Sequence, residues 1–237
     1  MKNQYFGDIN DYKKYGLLRL LNGCKQMRTA VCWMLTPNDP RPDGHRIDYL
    51  RQPEKWSSFD PVVYQFLREQ VIERQIRNVN TVESSNIIPT CRFYSEVVQD
   101  SRSSREEYSQ RFLEFAHGAE LVFFDPDNGM EVKSVPFGRK YSSKYLYWTE
   151  VEDSFSADHS ILVYQHLPPK PREPFIRNLA ERFRAVTGVS CVYSYRTQFA
   201  VFFLIPQSIH RAVFAPANRK VKEVWGEELK IEKHEAT

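Results

Sequence analysis

Apolar positions in this chain switch between helical spacing and short unbroken runs. From Asp11 to Leu21, Tyr12, Tyr15, Leu17, Leu18 and Leu21 recur at helical spacing, with Asp8 or Asn10 placed to cap the start. Thr29 to Leu35 is a continuous run of strand length, the pattern of a strand buried on both faces. Three prolines and a glycine between Thr36 and Gly44 then force a loop. Over 60–77, Val63, Phe66, Leu67, Val71 and Ile72 share one helical face, opened by Asp60 and Pro61 as N-cap and first-turn residues. Residues 105–117 read as another helix, closed by Gly118. Leu121–Phe124 and Ser160–Gln165 are further buried strands, with a helix over 173–186 after them. Val192–Tyr195 and Ala200–Ile205 flank residues 196–199 as an antiparallel hairpin.

Helices alternating with short apolar strands predict a Rossmann-like, doubly wound α/β fold. The sheet is mostly parallel, with helices on both faces and a C-terminal antiparallel hairpin supplying one edge strand. Residues 1–237 are expected to form a single α/β domain. Such sheets hold ligands outside the carboxyl ends of their strands. The polar loops 36–44, 125–131 and 165–172 all leave strand ends of that kind, so a shared cleft is expected there.

Composition narrows the class. Hydrophobic residues at 41% and charged residues at 27% suit a folded globular chain rather than a disordered one. The net charge of +3 permits an anionic partner without requiring one. Cysteines at 24, 32, 91 and 191 have neither zinc-site nor disulfide-framework spacing, so free buried thiols are expected. No apolar run reaches the roughly 20 residues a membrane helix needs, and the first residues lack a secretory apolar segment. A cytoplasmic protein without membrane contact follows as the expectation.

The densest chemistry lies in Leu121–Glu131, where four apolar residues lead into Asp125, Pro126, Asp127, Asn128 and Gly129. Asp125 is expected at the tip of a buried strand, facing the cleft. Pro126 removes one donor and fixes φ, so the Asp125 carbonyl is expected to point outward as a free acceptor. A carboxylate or amide beside a carbonyl can accept both hydrogens of an exocyclic base amine. The bland alternative is a turn whose carboxylates cap backbone amides.

The strand followed by Asp125-Pro126 resembles the Asp-Pro-Pro-Tyr motif of amino-directed S-adenosylmethionine methyltransferases. The segment Tyr5-Phe-Gly-Asp-Ile-Asn-Asp-Tyr-Lys-Lys-Tyr-Gly-Leu-Leu18 is similar to the His-Ala-Gly-Asn-x-Ala-Asp-x-x-Lys-His opening of the family that methylates adenine N6 in large-subunit ribosomal RNA. Gly7, Asp11, Lys14 and Leu18 fall on matching positions. The resemblance implies S-adenosylmethionine as cofactor, held by Gly7, Asp11 and Lys14 together with Asp39 and Asp43 of the polar loop. It implies catalytic roles for Asp125, Pro126, Asp127 and Asn128, and a base amine in nucleic acid as substrate. The chain departs from the family in two places. One glycine and three prolines replace the Gly-rich loop after the first strand, and Asp127-Asn128 stands where the family has Pro-Tyr or Pro-Phe. Tyr145, Tyr147 or Trp148 is left to supply the stacking ring. The wider pattern of FGDIND, FFDPDNG, SSKYLYW and LVYQH also resembles a family of uncharacterised bacterial proteins.

Two rival readings start from the same residues. Asp125, Asp127, Glu131 and Lys133 resemble the acid and lysine set of a Mg²⁺-dependent nuclease, although three residues are too few for the usual hairpin between its acids. A catalytically degenerate binding protein in a mobile or phage-defence module is the other. The stretch Phe137–Trp148 interleaves Arg139, Lys140 and Lys144 with aromatic rings, the composition of a nucleic-acid contact loop or, equally, of a solvated loop leading into a buried aromatic strand. Lys140, Lys144, Tyr147 and His166 are therefore candidate substrate contacts. His166 follows a strand end and His45 lies in the first polar loop, where each fits a general base or a satisfied structural group, and no metal-spaced histidine pair occurs.

Overall fold

A computed structural model describes residues 1–23, 26–40 and 44–235. Seven strands form one sheet: β1 (Thr29–Cys32), β2 (Cys91–Tyr94), β3 (Leu121–Phe124), β6 (Ser160–His166), β7 (Cys191–Arg196), β8 (Ala200–Ile205) and β9 (Lys230–Glu235). Two short strands, β4 (Gly129–Met130) and β5 (Tyr145–Leu146), pair in parallel beside it. The helices are α1 (Ile9–Gly23), α2 (Pro53–Trp56), α3 (Pro61–Arg68), α4 (Asn80–Ser85), α5 (Arg102–Ala116), α6 (Trp148–Ser156), α7 (Arg172–Thr187) and α8 (Arg211–Trp225). No helix is long and apolar enough to cross a membrane among the described residues.

The sheet order is β2-β1-β3-β6-β8-β7-β9. β2, β1, β3 and β6 are parallel, β8 runs antiparallel to both β6 and β7, and β9 runs antiparallel to β7. Both faces of β3 are covered, which is why its sequence reads as an unbroken apolar run. Leu121 and Phe123 enter the core built with α1, α3 and α8. Val122 and Phe124 enter the opposite core, with α5, α6 and α7. The fold is thus the expected Rossmann-like α/β architecture.

Local signals acted as expected at several ends. Asp60 caps α3 by accepting from the Val63 N–H at 3.1 Å, with Pro61 in the first turn. Gly118 follows α5 with φ of 78°. Asp8 sits at the start of α1 and accepts from the Asn10 N–H at 2.9 Å.

Two expectations are corrected. The helix over 60–77 is α-helical only to Arg68 and continues as a π-type turn over Glu69–Glu73. The hairpin does not supply an edge strand. β8 inserts between β6 and β7, because Ala200–Ile205 is buried at every position and needs neighbours on both sides. The edge belongs to β9, whose mostly exposed, charged residues suit an unpaired flank.

This topology fixes where a ligand can sit. From β1 the chain moves outward to β2, then returns to the other side of β1 as β3. The carboxyl ends of β1 and β3 therefore flank the point where the winding reverses, the position where open α/β sheets bind ligands.

Candidate functional site

Cys32 of β1 pairs with Phe124 of β3, and the Asp125 N–H donates to the Cys32 carbonyl at 3.0 Å. The last ladder bond thus delivers Asp125 directly to the reversal point. A cavity of about 460 Å³ opens there. Its walls include Asp8, Asn10, Asp11 and Lys14 from the first helix region, Gly44–Arg46 after β1, Asp125–Asn128 after β3, and Tyr164 and His166 of β6. Three expected loop regions share one cleft.

Its floor is a buried charge cluster. Lys14 Nζ lies 2.7 Å from Asp11 Oδ1 and 2.6 Å from Asp125 Oδ2, and all three side chains are at most 4% exposed. The Tyr15, Trp33 and Tyr164 rings surround the ammonium with centroids at 5.8, 5.9 and 5.7 Å. Asp11 is oriented further by the Gly7 N–H, which donates to Oδ2 at 3.0 Å. Two carboxylates sharing one ammonium cannot both be fully neutralised. Burial raises the pKa of Asp11 and of Asp125, with Lys14 opposing the rise in both. Burial disfavours the charged form of Lys14, but Asp11 and Asp125 overcome it and hold the amine protonated.

Asp127 is neutralised separately. Its Oδ1 lies 2.8 Å from the Met1 α-amino group, and the Thr36 hydroxyl donates to Oδ2 at 2.7 Å. Burial alone would raise its pKa, yet these partners and Lys2 hold it below the usual carboxylate value. The Asp125 carbonyl is not the free acceptor expected from Pro126, because the Met1 amine donates to it at 2.9 Å. Among the described residues, Asp125 Oδ1 and the Asn128 side chain take part in no hydrogen bond. Both belong to residues that line the cavity.

The turn carrying these groups is held by Gln165. Its Oε1 accepts from the Met130 N–H at 2.8 Å and its Nε2 donates to the Asn128 carbonyl at 3.1 Å. Gly129 has φ of 107°, and a Cβ there would meet the Gln165 amide at 2.3–2.5 Å. Only glycine lets the amide approach this closely. Gly7 has a similar role: its φ is 81°, and a Cβ would lie 2.4 Å from Val71 Cγ2 of the π-type turn. Gly7 thus supports the cluster through packing and one N–H, and does not line the cavity. Gly44 does line it, but the space a side chain would take is filled by Tyr5 Cδ1 at 2.4 Å.

Two cavity cations have no carboxylate partner among the described residues, Arg46 and Lys144. The Arg46 guanidinium lies over the Phe199 ring, 3.5 Å from its centroid, which holds it in place without neutralising it. Lys144 Nζ lies 5.6 Å from the Tyr141 ring centroid.

The other expected site residues are distributed as follows. Asp39 lies outside the cavity lining and forms an ion pair with Lys2 at 2.5 Å. Asp43 lies outside the described residues. Lys140 is exposed on the 137–144 loop, away from the cavity lining. Tyr147 is corrected as a substrate contact: it is 3% exposed, and its hydroxyl donates to the Val135 carbonyl at 2.9 Å. Trp148 is likewise buried against Phe183. Glu131 faces Arg182 at 3.6 Å, and neither it nor Lys133 lines the cavity with the two aspartates. Among the described residues no group of three or more His, Cys, Asp or Glu is arranged to hold a metal ion. Cys32, Cys91 and Cys191 are free thiols, while Cys24 lies outside the described residues. Sequence reasoning missed Lys2, Arg46 and Gln165 as site residues. Only Gln165, inside the LVYQH stretch at a strand end, carried a signal.

The sequence matches no protein-family model and no curated protein. Among solved structures it is similar to a Legionella pneumophila protein of family-model DUF519, at 10% identity over 98% of each chain with a TM-score of 0.47.

Proposed function

We propose that this protein is a methyltransferase of the S-adenosylmethionine class acting on an amine of a nucleic-acid base. One observation carries the reading. Asp11 and Lys14 of the N-terminal segment and Asp125 of the Asp-Pro turn, which resemble the same family at distant points of the chain, meet through contacts of 2.7 and 2.6 Å.

The residues present fit such a cofactor. A cavity of about 460 Å³ falls within the usual range for small-molecule sites. Its lining offers the Tyr5 and Tyr164 rings to a planar base, and for a carboxylate it offers Arg46, which has no carboxylate partner among the described residues. When bound, the cofactor supplies an electrophilic methyl group. Asp125 Oδ1 and the Asn128 amide oxygen then accept hydrogens of the amine and aim its lone pair. Lys14 holds Asp125 in position from behind, and the apolar strands below exclude water.

Calorimetric titration with S-adenosylhomocysteine tests this. A saturable one-to-one isotherm, weakened by Asp125→Asn, is expected. Absence of binding to a folded protein, or saturable binding of Mg²⁺ alone with release of nucleotides from nucleic acid, overturns it.

A further inference from the structure

The motif that Asp125-Pro126 resembles carries Pro-Tyr or Pro-Phe next, and this chain has Asp127-Asn128 there, with no ring. The three rings nearest in sequence to that role are poorly placed, since Tyr147 and Trp148 are buried and Tyr145 is half-buried. Tyr141 is different. It is 52% exposed, among the most exposed large apolar side chains of the described residues. Its backbone has φ of 74° and ψ of 4°, a left-handed conformation that a tyrosine adopts only when its surroundings impose it.

The surroundings that impose it are visible. The Asp100 carboxylate accepts from the Tyr141 N–H and the Ser143 N–H, both at 2.8 Å, and the Asp100 carbonyl accepts from the Ser142 hydroxyl at 3.0 Å. On the other side of the loop, Gly138 packs so closely on Arg102 that a Cβ would meet its Cβ at 2.7 Å. Phe137 is held between Arg102 and Tyr147, with ring-centroid distances of 5.1 and 5.0 Å. The loop is therefore clamped at both ends, and the clamp presents an apolar ring to solvent instead of burying it.

The charges around the ring complete the picture. Lys140 Nζ and Lys144 Nζ lie 5.0 and 5.6 Å from the Tyr141 centroid, and neither forms an ion pair with a carboxylate among the described residues. Lys144 also lines the cavity, so one lysine connects the ring to the cavity wall. An exposed ring with two cations close to it, neither paired with a carboxylate among the described residues, matches single-stranded nucleic acid, which offers base faces for stacking and phosphates for the lysines.

We infer that Tyr141, flanked by Lys140 and Lys144, is a stacking platform that binds a single-stranded nucleic acid at the cavity mouth. The inference deepens the proposed function, because it supplies the ring missing from the Asp-Pro turn, and it rests on that reading for the link to Asp125. A duplex, whose bases are already stacked, offers this ring little.

The test is fluorescence anisotropy with a short labelled single-stranded RNA and with the same sequence as a duplex, using the parent protein, Tyr141→Gly, Tyr141→Phe and the pair Lys140→Ala with Lys144→Ala. Glycine is chosen because it accepts the positive φ, so its thermal midpoint should equal or exceed the parent's. Tyr141→Gly is expected to lose roughly tenfold or more in single-strand affinity, and Tyr141→Phe to stay close to the parent. The double lysine variant should flatten the salt dependence by about 0.7 units of log affinity per log salt for each phosphate it no longer neutralises. Affinity of Tyr141→Gly within twofold of the parent, or parent binding of the duplex as tight as the single strand, overturns the platform. Titration with S-adenosylhomocysteine on the same samples separates the two readings. Loss of RNA binding in Tyr141→Gly without any cofactor binding by the parent sustains the platform and removes methyl transfer.

Discussion

Lys14 Nζ and Asp125 Oδ2 lie 2.6 Å apart although 111 residues separate them in the chain. The pair couples the first helix to the end of the central strand, and Asp11 shares the same ammonium. Removing Lys14 leaves buried Asp11 without its ammonium and Asp125 with only the Met1 amine nearby, whereas removing the Asp125 side chain leaves Lys14 still paired with Asp11. Lys14→Ala should therefore cost about 3–5 kcal/mol of unfolding free energy. Asp125→Ala should cost only about 1.5–3 kcal/mol, as for the removal of a hydrogen bond to a charged group. Urea denaturation of both variants checks the order. Equal losses would mean that the cluster depends on Lys14 no more than on Asp125.

The same cluster sets a pH dependence. Burial raises the Asp125 pKa, Lys14 opposes this, and the neighbouring Asp11 charge adds to the rise. A carboxyl raised on folding binds its proton more readily in the folded state, so stability falls as pH rises through that raised value. If Asp125 must be ionised to accept an amine hydrogen, the acid limb of transfer activity lies above the ordinary carboxylate range. Asp11→Asn removes the like charge and leaves Lys14 to Asp125 alone. The acid limb of the activity profile should then move to lower pH, and the stability slope in that region should flatten. Asp127 behaves oppositely, because its partners outweigh burial and depress its value. Its contribution is present above the ordinary carboxylate range and lost as pH falls through the depressed value.

How much of this was legible in the chain depended on burial. β1, β3 and β8 announced themselves because strands covered on both faces read as unbroken apolar runs. β2 gave no such run, since Cys91, Arg92 and Phe93 are partly exposed near the sheet edge. β9 reads Lys-Ile-Glu-Lys-His-Glu and offers too little apolar pattern to notice. Helix α8 was hidden by Pro216, which ordinarily punctuates a helix rather than lying inside one. At the site, Asp11, Lys14 and Asp125 were readable because short motifs carry them. Lys2 and Arg46 were not, because their placement depends on segments that meet only in three dimensions.

Gln165 and Gly129 offer a test of how the Asp-Pro turn is held. Gly129→Ala puts a methyl group 2.3–2.5 Å from the Gln165 amide and strains a residue at φ of 107°. Gln165→Ala leaves the Met130 N–H and the Asn128 carbonyl without their partner. Each change should cost about 1–3 kcal/mol. Together they should cost less than the sum, because truncating Gln165 removes the group that the new methyl meets. Denaturation of the two single variants and the double gives the coupling energy. Full additivity would show that the turn is held by something other than this amide.

Arg46 and Phe199 bear on which end of a cofactor enters where. The guanidinium stacks on Phe199 at 3.5 Å from the ring centroid and meets no carboxylate among the described residues. Floor and wall differ in this respect, since Lys14 and Lys2 are already paired with aspartates. If Arg46 takes the carboxylate of the amino-acid arm, Arg46→Ala should weaken S-adenosylhomocysteine by roughly tenfold, as expected for one charge-assisted hydrogen bond of about 1.5 kcal/mol. Methylthioadenosine has the same nucleoside but no amino-acid arm, and its affinity should stay unchanged. Phe199→Ala should act in the same direction but more weakly, by freeing the guanidinium to move. Competition calorimetry with the two ligands measures the ratio. An equal loss for both would place Arg46 against the nucleoside instead, and would reverse the orientation of the ligand in the cleft.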